Sequence, residues 1–253
     1  MTRSSVGWAP VTPDITVGGR YRPRVPTLAS GVLAEGVPNP WFSSVYLQQG
    51  KQELGVALQQ HVSITLVAVL AGVVLSLPLA LLARRSAAME TVVIGATGVI
   101  YTIPSLALFA LLVPLTKYTA LTAEIALALY TLVILVRNTV TGLSQVPAEV
   151  LEAADGMGLG RAGRLLRVEL PIALPTIMAG VRVATVSTIS LLTVAAYVGT
   201  GGFGQLIDQG FRADYRAKIV TACIACVLLA LVADALLVLL QRALTPWSRA
   251  RTA

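Results

Sequence analysis

Three patterns in this chain have residue types at a spacing that can do chemistry. The first is Cys223-x-x-Cys226, the spacing of a redox dithiol or of half a zinc site. Tetrahedral zinc needs further thiolate or imidazole ligands, and the single histidine, His61, is far away in sequence, so the two cysteines read as small polarisable packing residues. The second is Gly199–Gly204, "GTGGFG", which matches G-x-G-x-x-G. A dinucleotide site needs a strand before it and a helix after it in a βαβ unit. A long apolar run of helical character precedes these glycines instead, and they read as a tight turn or a half-helix break. The third is a pair of charges, Arg182 and Asp234, each inside an otherwise apolar run. No G-x-x-x-x-G-K-[ST], H-E-x-x-H or G-x-S-x-G occurs, and His61 stands where an interfacial or capping role fits better than catalysis. The chain therefore reads as a non-enzyme.

The elements that must position these residues are set by composition. The chain has 253 residues, 56% hydrophobic and 12% charged, with a mean hydropathy of +0.79, where a soluble domain carries about a quarter charged residues. Apolar windows of about 20 residues mark membrane spans, and five qualify or nearly do: 62–82, 91–113, 121–136 and slightly beyond, 176–198, and 219–240. The expected class is all-α and polytopic, with about five transmembrane helices. Residues 1–40, rich in proline and glycine, read as a disordered extension, and 41–60 as an interfacial helix with Trp41 and Tyr46 as headgroup anchors. The membrane domain then runs over 61–243, with a tail at 244–253.

Charge sorts by loop. Arg84, Arg85, Arg137, Arg161, Arg164, Arg167, Arg242, Arg249 and Arg251 fall on one side, and only Lys117, Arg212, Arg216 and Lys218 on the other. The positive-inside rule places the first set, including the C-terminus, in the cytoplasm, with the spans between in contact with membrane lipids. An odd number of spans leaves the N-terminal segment outside despite its own arginines. The net charge of +7 is thus a matter of topology rather than of nucleic-acid binding.

Breaks at membrane depth mark either kinked bundle helices or a pathway. Pro104, with Tyr101 and Ser105 beside it in the second span, is such a break, and Asn138 and Tyr197 are further polar or aromatic groups at depth; these five are the candidate pathway-lining residues. Arg182 lies six residues into the fourth span and Asp234 six before the end of the fifth, so each is roughly 9 Å from the same boundary at 1.5 Å rise per residue. An intramembrane ion pair between them is expected, as a structural tie or as a substrate site.

The least membrane-like stretch of the second half is 151–171, "LEAADGMGLGRAGRLLRVELP". Pro147 suits a helix start, Glu149 and Glu152 favour its positive end, and Gly156, Gly158 and Gly160 should break it. A second short helix over 161–168, carrying Arg161, Arg164 and Arg167 on about a third of its circumference, should end at Pro171. Headgroup binding explains the arginines but not the apolar face at Val150, Leu151, Ala153 and Ala154.

Glu152-Ala153-Ala154, three residues, Gly158, nine residues, then Val168-x-Leu170-Pro171 resembles the "EAA" loop of permease subunits of ATP-binding-cassette importers, with Val168 where isoleucine is usual. The segments "TIPSLALF", "VRNTVTGL", "VELPIALPTIMAGVR" and "GTGGFGQLI", with Asp234 and the ending "LTPW", are similar to the osmoprotectant branch, whose solutes are glycine betaine, carnitine and choline. The resemblance implies the type I importer (MetI-like) permease fold. It also implies a loop over 147–171 whose Glu152, Ala153, Ala154, Gly158, Leu170 and Pro171 couple to a separate ATPase subunit that binds the ATP. A second permease chain, identical or homologous, and an extracytoplasmic solute-binding protein complete the implied assembly. A permease for another small solute such as an amino acid, or a scaffold or passive channel without an ATPase, are the alternatives.

Overall fold

The computed structural model describes residues 39–247, and the expected disordered extension lies outside them save for its last two residues. Every regular element among the described residues is helical. In order they are α1 (Ser44–Gln49), α2 (Lys51–Ala83), α3 (Ala87–Thr102), α4 (Ser105–Thr116), α5 (Ala120–Ser144), α6 (Ala148–Gly156), α7 (Arg161–Arg164), a π-helical turn (Leu165–Glu169), α8 (Leu170–Ala195), a 3-10 turn (Ala196–Val198), α9 (Phe203–Arg212) and α10 (Arg216–Leu244).

Four helical stretches are long and apolar enough to cross a membrane, and α3 with α4 adds a fifth as a pair bent by 93°. Pro104 makes the bend: it drives Ile103 into extended backbone (φ −66°, ψ 127°) and has no N–H to continue the ladder. The carbonyl of Ile103 that this frees accepts a hydrogen bond from the Tyr130 hydroxyl of α5. The pair still carries the chain from one end of the bundle to the other. It starts three residues after α2, whose end is bonded to the start of α8 through Arg84 and Glu169, and it finishes beside Tyr118, whose Cβ lies near Gly199 after α8.

The core is built around α5. In its most apolar stretch 56% is buried, against 6% for α10, so α5 is the hub and α10 an outer helix facing lipid or another chain. Close approach to α5 depends on missing side chains. A Cβ on Gly72 of α2 would stand 2.0 Å from Thr131 Oγ1, and one on Gly180 of α8 would stand 2.6 Å from Asn138 Cβ. The hydroxyls in these contacts are satisfied locally, Thr131 donating to the Ala128 carbonyl, Thr139 to Leu135 and Thr188 to Ala184. No water is needed to keep them at membrane depth.

Helix α10 is held to α8 by the two charges noted in the sequence. Arg182 Nε and Nη2 donate to the two carboxylate oxygens of Asp234 at 2.8 and 2.9 Å, a bidentate fork. At the other end of α10, Lys218 Nζ donates to Glu53 of α2 and Gln209 of α9, both at 2.6 Å.

Two expectations are corrected. Residues 41–60 are not one helix: α1 stops at Gln49, and 51–60 are the first turns of α2. The break falls at Gly50, and nothing between Lys51 and the apolar run interrupts the ladder, so the polar segment continues straight into the span. Tyr46 is buried against Tyr215, ring centroids 5.4 Å apart, and Trp41 lies under the Arg216 guanidinium at 5.0 Å. The second correction is that Pro171 does not end a helix. The ladder has already shifted to π register, with the Leu170 N–H donating to Leu165 five residues back, so Pro171 enters as the first turn of α8, where its missing N–H is tolerated.

Replacing Gly180 with leucine should cut the membrane yield of folded protein severalfold, because α8 could no longer lie against Asn138. Arg182→Ala and Asp234→Ala should each lower that yield by leaving one charge unpaired in hydrocarbon, and the exchange Arg182→Asp with Asp234→Arg should restore part of it. A double exchange no better than the single losses, measured as monodisperse protein after detergent extraction, would show that the fork does not hold α10.

Candidate coupling loop and membrane cleft

The loop between α5 and α8 starts at Pro147, with Glu149 in the first turn of α6 near its positive pole. It turns at Gly158, which adopts φ +79°. The Gly158 N–H donates to Asp155 (2.9 Å) and the Leu159 N–H to Ala154 (3.1 Å), the paired 5→2 and 6→1 bonds of a Schellman C-cap that needs a left-handed residue at this position. A glycine six residues after Glu152 is therefore required by backbone geometry. Glu152, Ala153 and Gly158 lie on the exposed surface of this corner, and Ala154 is buried beneath it. Met157 (74% exposed) and Leu166 (63%) are two further large apolar side chains of this loop, and nothing among the described residues covers them. Leu170 and Pro171 are half-buried where the loop joins α8.

The three loop arginines do not act as a set, contrary to the helical spacing. Arg161 and Arg167 are exposed, whereas Arg164 turns inward to bond Asp155 Oδ2 at 2.6 Å and Glu169 Oε1 at 3.1 Å. Arg161 and Arg164 share the regular turn of α7, and the π turn at 165–169 rotates Arg167 away from the position that a period of 3.6 gives it. Glu169, 3% exposed, also accepts from Arg84 Nη1 at 2.5 Å. Neither Glu169 nor Arg84 stood out in the sequence. An acidic residue bordering a span, five after an arginine, is the pattern that a π turn brings into contact, and Arg84 registered only as a topology charge.

Of the five residues at depth, the structure brings one into a cleft. Tyr101 packs edge-on against Tyr130 (5.7 Å, 78°), over a narrow crevice lined by both tyrosines with Thr131, Ile134, Ser187 and Thr188, too tight for water. Pro104 and Ser105 form the bend beside it. Asn138 is elsewhere, its amide donating to the Ile134 carbonyl and its Cβ against Gly180. Tyr197 sits exposed in the 3-10 turn at the opposite end from the loop.

The glycine-rich turn is capped by α2. Gly199, Gly201 and Gly202 all take positive φ, the Gly202 N–H donates to Gln60 Oε1 (2.9 Å), and the Phe203 N–H donates to His61 Nδ1 (3.3 Å). With Nδ1 accepting, the Nε2–H of His61 donates to the Ile189 carbonyl at 3.0 Å, which requires the neutral Nε2 tautomer. His61 is fully buried and spends both nitrogens on holding α9 and α8 to α2. Cys226 Sγ lies 4.0 Å from the same Ile189 carbonyl, and Cys223 is exposed on α10.

Residues 72–250 match the family described as binding-protein-dependent transport system inner membrane component. The choline transport system permease protein OpuBB of Bacillus subtilis is 35% identical over 201 residues, 79% of this chain and 93% of the relative. The osmoprotectant import permease protein OsmW of Salmonella typhimurium is 40% identical over 193 residues, 74% and 89% of the two chains. The carnitine transport permease protein OpuCB of Listeria monocytogenes is 35% identical over 201 residues, 79% and 92%. Among solved structures, the MetNI methionine transporter in an inward-facing conformation shares the fold at a TM-score of 0.70 and 20% identity, over 81% of this chain and all of that one. The polytopic helical bundle is thus matched in sequence and in fold, and the chain belongs to the family of binding-protein-dependent transport system inner membrane components.

Proposed function

We propose that this permease subunit imports a quaternary ammonium osmoprotectant, of the choline, carnitine and glycine betaine type, and that its 147–171 loop is the surface on which a separate ATPase subunit docks. The exposed corner formed by Glu152, Ala153 and Gly158 carries this reading, because it presents acidic and apolar surface in the loop between α5 and α8. Met157 and Leu166 extend that surface. The solute class is supported by relatives named for choline, carnitine and osmoprotectants. Each of those three solutes carries a trimethylammonium group, a cation without an N–H donor that aromatic faces attract.

The loop, the C-terminal end of α2 and the end of α10 lie at one face of the bundle, where Gln145 accepts from Thr176 and Gln241 donates to Pro175. The basic residues concentrate there, so this face is cytoplasmic. The opposite face carries Asn39, which bonds the α9–α10 corner at Asp214 and Arg216, and it is the side for a solute-binding protein. A second permease chain, identical or homologous, covers apolar surface left open on this one. ATP belongs to the partner ATPase, and closure of the ATPases moves the loop as a body and rocks the helices between inward-open and outward-open states.

Radiolabelled choline and glycine betaine should accumulate in cells that lack their own osmoprotectant systems when this chain is expressed with its ATPase and binding protein. Gly158→Asp, which forces an aspartate into left-handed backbone at a cost of about 1 kcal/mol and adds charge to the corner, and Glu152→Lys should each abolish that uptake while leaving the chain in the membrane. Retained uptake would reject the loop assignment. A complex that still holds its ATPase but takes up neither solute would reject the solute class alone.

A further inference from the structure

We infer that Glu169 is a positioning residue, the joint through which movement of the coupling loop is passed to α2 and along it to the glycine-rich turn at the far face. The inference rests on the loop reading above and goes beyond it, since Glu169 and Arg84 lie outside the residues that reading assigns.

The joint is a chain of four alternating charges drawn from separate pieces of the molecule. Asp155 belongs to α6, Arg164 to α7, Glu169 to the end of the π turn, and Arg84 caps α2. The Glu169 side chain is only 4% exposed, and each of its oxygens is held by a different arginine. Losing either arginine leaves a buried carboxylate half-compensated, which is strongly unfavourable, so the three pieces move together or not at all. The π turn explains why such a joint is needed. A widened turn between the loop and α8 is a soft point in an otherwise continuous rod, and without the charge chain a displaced α6 could bend there and leave the spans behind.

What α2 does at its other end makes the link useful. Gln60 and His61 hold the first N–H groups of α9, and His61 also holds the Ile189 carbonyl. Arg84 caps the same helix 23 positions further along, past Pro78, roughly 35 Å away at 1.5 Å per residue. Helix α2 is therefore fixed to the loop at its C-terminal end and to the glycine turn at Gln60 and His61 in its first half, with Gly72 lying close against α5 between them. It is a lever held at two points, and the Glu169 carboxylate is where force enters it.

The test is the reconstituted complex in proteoliposomes, with ATP hydrolysis and uptake of radiolabelled choline measured together. Glu169→Gln keeps the shape and removes the charge, and Arg84→Gln opens the same joint from the α2 side, where the side chain is more exposed and tolerant of change. Both should still bind and run the ATPase, while choline transported per ATP falls about tenfold, a typical size for a coupling between sites. Arg84→Lys, which can still reach one carboxylate oxygen, and Arg85→Gln, one residue outside the chain of charges, should keep the wild-type ratio. An unchanged ratio in Glu169→Gln and Arg84→Gln would overturn the inference, as would an equal loss in Arg85→Gln. So would loss of assembly in both joint variants, which would make the cluster a folding element only. Wild-type complex that hydrolyses ATP with no choline uptake would instead overturn the functional reading itself.

Discussion

A polar group within hydrocarbon has no water to bond, and each one left unpaired costs several kcal/mol. That constraint decides most of what this chain does. Pro104 frees a carbonyl by bending a span, and the bend is stable because Tyr130 reaches it. Thr131, Thr139 and Thr188 of the central helices fold their hydroxyls back on the preceding turn instead of seeking partners across the bundle. The one histidine is spent entirely on backbone groups of two other elements. The bidentate Arg182–Asp234 pair at depth fastens the spanning helix with the least buried apolar stretch among those described.

The same constraint separates the parts that move from the parts that do not. Helices α2, α5 and α8 approach so closely at Gly72 and Gly180 that no side chain fits between them, and such contacts make them slide or rock as bodies rather than deform. Three departures from regular helix lie within or at the ends of the spans: the bend at Pro104, the π turn before α8, and the glycine turn after it. Each is pinned by a side chain from another helix, Tyr130, Arg84 and His61 respectively. A bundle of rigid rods with pinned joints is suited to converting a push at one face into a change at the other, which is what a permease coupled to an ATPase must do.

Much of this was legible in one dimension because it follows from composition and local periodicity. Apolar runs of membrane-spanning length, the loop sorting of arginine, and the Glu152 to Gly158 spacing depend on nothing outside their own neighbourhood. The position of Gly158 shows why: a Schellman cap needs a left-handed residue at a set distance from the last turn, so the requirement is written locally. The matching depths of Arg182 and Asp234 were also accessible, since a charge in an apolar run must find a partner at its own level.

Other features were decided only when distant segments met. The reach of α2 back to Lys51 depended on the absence of any break after Gly50, which polarity alone conceals. The inward turn of Arg164 and the burial of Glu169 depend on one extra residue per turn at 165–169, and a period of 3.6 cannot anticipate a π register. Asn138 is polar at depth and packs against a glycine, whereas Tyr101 meets Tyr130 at the cleft, and sequence distance does not distinguish the two. By itself the sequence determined which segments enter the membrane and where the loop must turn, because transfer energy and backbone geometry are local. Which polar groups pair, and so which joints transmit motion, belonged to the tertiary structure, because a hydrogen bond across helices exists only at the distance and angle that packing supplies.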